Sequence, residues 1–131
     1  MNGARRRAGW RVSIVIAVAA SSVVLSALPS AAHVKTFDNK VTIQNDGGSL
    51  SGSVTSPKAA CTRGRDVAVF RVTPGAGKDD RVGKAEFAGG EWTLDASDIT
   101  GEVYAKVTSK TFGGYGHTHT CPADRSRTIT L

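Results

Sequence analysis

The chain has 131 residues, with 17 Lys and Arg against 11 Asp and Glu and a formal net charge of +6. Four arginines (Arg5, Arg6, Arg7 and Arg11) crowd the N-terminus; taking them from 17 leaves 13 basic against 11 acidic groups beyond it, about +2. That balance excludes a strongly basic domain. The linear order also lacks a basic stripe interleaved with aromatics, so no nucleic-acid partner is expected.

Behind those arginines, residues 12–28 are uncharged and largely apolar, Pro29 breaks the run, and Ser30-Ala31-Ala32 supplies small residues. A charged start, an apolar stretch and an A-x-A-like end describe a secretory signal peptide, with cleavage expected before His33. The alternative is an uncleaved anchor, because the run approaches the roughly 18–20 residues of a spanning helix. Pro29 and the small residues favour cleavage. The expectation is a signal-peptide helix over 1–32, a secreted domain over 33–131, and no membrane span after cleavage.

A domain of that size buries only about 60–65% of its unfolded surface. Cys61 and Cys121 are the two cysteines, and in an oxidising compartment they allow one intramolecular bond. Closing so long a loop stabilises by roughly 4 kcal/mol in the chain-entropy model. No C-x-x-C points to a redox or metal role instead.

Residues 33–39 form a lead-in. Val41 and Ile43 alternate with polar residues, and Asn45-Asp46-Gly47-Gly48 signals a hairpin turn. Leu50, Gly52 and Val54 continue on one face of the next strand. A loop carries Cys61, and residues 66–73 (DVAVFRVT) are apolar on both faces except at Arg71, as in a central strand. Residues 82–87 and 92–95 form a hairpin about Ala88-Gly89-Gly90, with Trp92 in the core. Val103, Ala105 and Val107 alternate on a further strand, with Tyr104 on the surface. Residues 110–126 read as a long Gly-rich loop holding His117, His119, Cys121 and an exposed Tyr115, before a closing strand over 127–131. Seven short strands with frequent turns and no convincing helix describe an all-β, antiparallel sandwich with one disulfide.

The segments at 50–54, 67–72, 82–83, 90–94 and 101–107 follow a G-x-V … V-x-V … G-x-W-x-L … G-x-Y-x-x-x-V pattern. In that pattern the chain resembles carboxypeptidase-regulatory-like, transthyretin-like sandwich domains, and as a whole it resembles small secreted bacterial β-sandwich proteins. Val103 stands where such domains usually place Tyr, and Gly89-Gly90 replaces their acidic turn before the Trp strand. The resemblance implies an Ig-like topology and a non-catalytic module engaged in recognition or assembly.

If all seven strands alternate in direction, the loops at 57–65, 88–90 and 110–126 share one end. Both cysteines then fall together, with Lys58, Arg63, Arg65, Lys110, Arg125, Arg127, His117 and His119. Asp46, Asp79, Asp80, Asp95 and Asp98 fall at the other end. The plainer reading is that charged loops solvate a sandwich. The functional reading is that the basic, disulfide-braced end binds an anionic envelope polymer or an extracellular protein. A structural, self-associating exported protein is the alternative.

His117 and His119 share a strand face at H-x-H spacing, and His33 could approach them with its amine after cleavage. Together they suggest a Cu(II) or Zn(II) set, against which stand the neighbouring glycines and lysines. The Asp turns lack EF-hand spacing, so calcium has weak support. No G-x-S-x-G, H-E-x-x-H, phosphate loop or free cysteine nucleophile is present. Neither an enzyme nor a cofactor is expected.

Overall fold

The computed structural model describes residues 32–131. The signal peptide and its helix, expected over 1–32, lie outside these residues save for Ala32. Among the described residues no helix is long and apolar enough to cross a membrane.

The described chain is all-β. Its strands are β1 (His33–Thr36), β2 (Lys40–Val41), β3 (Gln44–Asn45), β4 (Ser49–Thr55), β5 (Val67–Arg71), β6 (Asp80–Lys84) and β7 (Glu86–Ala88). They continue with β8 (Glu91–Asp95), β9 (Glu102–Val107), β10 (Lys110–Gly114), β11 (His117–Cys121), β12 (Asp124–Arg125) and β13 (Ile129–Thr130). A single 3-10 turn, Ala59–Thr62, carries Cys61.

These strands build three sheets. The first runs β2-β4-β8-β7 with β3 beside β4; the second runs β12-β9-β5-β6 with β13 beside β9; a small third sheet runs β1-β11-β10. The core lies between the first two. Leu50 faces Leu94 and Gly52 faces Trp92 in the first sheet, while Val67 faces Val107 and Val69 faces Ala105 in the second. Val103, Ala105 and Val107 are fully buried and Lys106 is exposed, as a period of two requires, while Tyr104 on the outer face is buried beneath Phe70 and Arg125.

Trp92 fills the middle of this core and its Nε1 donates to the Thr42 carbonyl at 3.2 Å. Gly52 makes that possible. A Cβ there would overlap the Thr42 carbonyl and sit 2.7 Å from Trp92 Nε1. The strand expected over 82–87 changes sheets at buried Ala85, whose N–H donates to the Val67 carbonyl at 2.9 Å. β6 therefore belongs to the second sheet and β7 to the first.

Three expectations are corrected. The described residues form thirteen strand segments rather than seven strands: Thr42-Ile43, Ala85 and residues 126–128 interrupt the pairing, and β1, β10 and β11 form where a lead-in and a loop were expected. The pairing is not wholly antiparallel, since β1 runs parallel to β11. Residues 110–126 are not a loop: β10 and β11 pair from Lys110↔Cys121 to Gly114↔His117. Thr111, Phe112, Thr118 and Thr120 supply β-branched and aromatic residues to that hairpin. Tyr115 (φ 52°) and Gly116 (φ 83°) supply the two positive φ angles that a type I′ turn requires.

Candidate functional site

The expected bond joins Cys61 to Cys121, both fully buried with Cα atoms 5.5 Å apart. It fastens the 3-10 turn to the end of β11. Lys110 adds a second tie across the same place, its Nζ donating to the carbonyls of Arg63 (2.7 Å) and Ala60 (3.2 Å).

Arg65 is the third tie and a correction to its expected role as a ligand-facing cation. It is 4% exposed. Its Nε donates to the Thr108 carbonyl at 2.8 Å and its Nη2 to the same oxygen and to the Pro122 carbonyl at 2.7 Å. Its Nη1 donates to Asn39 Oδ1 at 3.0 Å and to the Cys61 carbonyl at 3.1 Å. Burial pulls the guanidinium below its ordinary range and Asp124 partly offsets that. A charge so committed to internal carbonyls has no donor left for a ligand.

On this base stands the small sheet. Its registers pair His33 with His117, Lys35 with His119, and Phe112 with His119. Cross-strand partners share a face, so these side chains gather on one side of the sheet. Phe37 follows β1, and its N–H donates to the Thr120 carbonyl at 2.9 Å. The His33 and His117 Nδ1 atoms lie 2.9 Å apart, one ring donating to the other.

The His119 ring sits against Phe112 (centroids 5.2 Å apart), Phe37 (5.6 Å) and His33 (6.1 Å). Its Nδ1 is buried without a hydrogen-bond partner. Desolvation, reinforced by Lys58, His33, His117 and Lys35, lowers its pKa from the usual imidazole range. Lys35 and Lys58 place their Nζ atoms 5.1 Å and 5.7 Å from the Phe37 centroid, so two cations attend one ring.

No family model, curated protein or solved structure matches the chain. The site must be read from its own chemistry.

The expected three-imidazole metal set does not form as a set. Among the described residues, no group of three or more His, Cys, Asp or Glu is placed to hold a metal ion. His33 and His117 meet at Nδ1, while His119 is packed among phenyl rings.

The basic residues named from sequence therefore divide. Lys58 and Arg63 are exposed beside the disulfide. Lys110 and Arg65 are structural ties. Arg125 lies over the Tyr104 ring, 3.7 Å from its centroid, on the second sheet. Arg127 is exposed between β12 and β13. Lys35, Phe37 and Phe112 were missed. A period-two reading from His33 through Lys35 to Phe37 could have found two of them, had residues 33–39 been taken as a strand.

Electrostatically this face is uncompensated. The ion pairs among the described residues are Arg71–Asp80 (3.8 Å) and Lys84–Asp66 (2.6 Å), and neither involves Lys35, Lys58 or Arg63.

Proposed function

We propose that the domain is a secreted, non-catalytic binding module that holds an anionic envelope polymer on the small-sheet face beside the disulfide. Lys35, Lys58 and Arg63 make the charge contacts, with Phe37, Phe112 and the three histidines as the surface between them. The observation that carries this reading is that Lys35 and Lys58 both stand over the Phe37 ring, with exposed Arg63 beside the disulfide, and none of the three is in an ion pair among the described residues.

Magnitudes favour a polymer over a single small anion. An exposed charge pair contributes only about 0.2–1 kcal/mol, so three such contacts amount to a weak site unless the ligand repeats. A repeating polyanion raises the local concentration of the next charge and converts weak contacts into retention. The disulfide, Arg65 and Lys110 fix the face in advance, which reduces the ordering cost of binding. A non-catalytic role is what the resemblance to carboxypeptidase-regulatory-like domains implies.

The test is retention of the protein on isolated cell-wall polyanion at low and high salt. Raising salt from 0.1 M to 1 M shortens the screening length from about 10 Å to about 3 Å. Retention should be lost at the higher salt, and in a Lys35→Ser/Lys58→Ser/Arg63→Ser variant at both. Equal retention of the variant overturns the proposal.

A self-associating structural role is favoured by one observation. All four residues of β1 are exposed, Val34 at 71%, and β1 pairs on one side only. Open edges of that kind template strand pairing between chains. Size-exclusion elution as a concentration-dependent oligomer would support this second reading, and a monomer at all concentrations removes it.

A further inference from the structure

The outer face of the second sheet carries a row of cations that the sequence reading did not assemble. Register places Arg125 opposite Lys106, Lys106 opposite Ala68, and Ala68 opposite Lys84. All four side chains therefore stand on one face in a line across β12, β9, β5 and β6. The adjacent row is Tyr104, Phe70 and Arg81.

Like charges directly opposite each other on an antiparallel pair destabilise it. Arg125 and Lys106 are such a pair, both exposed, and neither is in an ion pair among the described residues. The nearby acids are engaged. Asp79 accepts from Thr73 N–H and Tyr104 O–H, and Asp66 is paired with Lys84. Yet Arg125 is held in place: its guanidinium lies on Tyr104, which stacks on Phe70 with centroids 5.6 Å apart, and its Nη2 donates to Thr128 Oγ1 at 3.3 Å.

Between Lys106 and Lys84, two strands and roughly 10 Å apart, only the Ala68 methyl projects. A cleft of about 340 Å³ results, lined by Ala68 and half-buried Phe70 with Arg81, Lys106 and the ion-paired Lys84 and Asp66. The faces of Tyr104 are covered by Arg125 and Phe70, so the cleft is not a stacking platform for sugars or bases. Arg125 stands outside this lining, across Lys106 from Ala68, so a fixed guanidinium and a facing ammonium border the apolar hollow on one side.

We infer that this face binds a phosphomonoester, its dianionic phosphate between Arg125 and Lys106 at the edge of the cleft and its organic group within the cleft on Ala68 and Phe70. A planar guanidinium presents paired donors to phosphate oxygens, and a second cation matches the second charge. A doubly charged group relieves the repulsion between Arg125 and Lys106 more fully than a carboxylate does. The inference stands on the second sheet and is independent of the small-sheet reading.

Phenyl phosphate and inorganic phosphate, titrated into the full chain while backbone amide resonances are followed, test it. Phenyl phosphate should give saturable shifts centred on Ala68, Lys106 and Arg125, and should bind more tightly than inorganic phosphate. Lys106→Ser, an exposed change that leaves the core intact, should weaken phenyl phosphate by about tenfold. Arg71→Ser, at a side chain facing Asp80, should leave it unchanged, as should the Lys35→Ser/Lys58→Ser/Arg63→Ser variant. Absence of saturation, equal affinity for the two phosphates, or an unaltered Lys106→Ser titration overturns the inference.

Discussion

Replacing Arg65 by Met would strip donors from the carbonyls of Cys61, Thr108 and Pro122 at once. Buried acceptors left unpaired cost about 1–3 kcal/mol each before relaxation and water entry, so a loss on the order of 3 kcal/mol is expected. The check is a fall in the urea midpoint at unchanged m-value. Arg63→Met, two residues away and exposed, should leave that midpoint within about 0.5 kcal/mol of the parent. In the sequence the two arginines look alike, because what separates them is the set of distant carbonyls that meets only Arg65. Tyr104 was misread for the same reason: an outward position on β9 gives no sign of the Arg125 and Phe70 rings of contact that bury it.

Asp79 sets a pH dependence at the same scale. The Thr73 N–H and then the Tyr104 O–H favour its ionised form, holding its pKa below the usual carboxylate value; the hydrogen bonds to Ser97 and Lys84 act likewise on Asp95 and Asp66. A depressed folded-state pKa means the stabilisation is full above the unfolded value near 3.9. It is lost as pH falls through the folded-state value. Thermal midpoints should therefore hold above about pH 5 and decline below about pH 4. Asp79→Asn should make that acid decline shallower; an identical decline would show that Asp79 takes no part in it.

Among the elements, the β10–β11 hairpin and its disulfide decide whether the small sheet exists. Cys61 and Cys121 lie 60 residues apart, and the loop they close accounts for about 4 kcal/mol in the entropy model. A Cys61→Ala/Cys121→Ala variant should lose stability of that order. Amide exchange over β1, β10 and β11 should accelerate well beyond that over β5 and β9. Uniform acceleration would mean that the small sheet is no more dependent on the bond than the core. The sequence showed β4, β5, β8 and β9 through their alternation and composition. It concealed β10 and β11 because Gly113, Gly114 and Gly116 read as breakers, although Gly116 serves the turn and Gly113 sits at φ 133° within a paired strand. β1 was hidden because its residues are all exposed, so no burial pattern marks a strand whose order comes from a parallel ladder.

At the scale of the whole molecule, two sheets enclose the core and a third stands at the disulfide. Pairing of the two cysteines followed from their being the only two in a chain expected to be exported, with chain polarity as added support. Most acidic residues of the turns are engaged locally: Asp46 accepts from Ser51, Asp79 from the Thr73 N–H and Asp95 from the Ser97 N–H, while Asp80 pairs with Arg71. Cations without an ion pair among the described residues stand on the small-sheet face and on the outer face of the second sheet. Linear order did not show the division between these faces, because membership of a face depends on register between strands far apart in the chain. Lys35 reaches His119 and Lys106 reaches Arg125 only through pairing.

Mapping amide shifts while an envelope polyanion is titrated into the protein locates its surface directly. Binding on the small-sheet face gives saturable shifts over Lys35, Phe37, Lys58, Arg63, Phe112 and His119, reversed by salt and absent in the Lys35→Ser/Lys58→Ser/Arg63→Ser variant. Shifts that leave those residues untouched, or that persist in the variant, would contradict it.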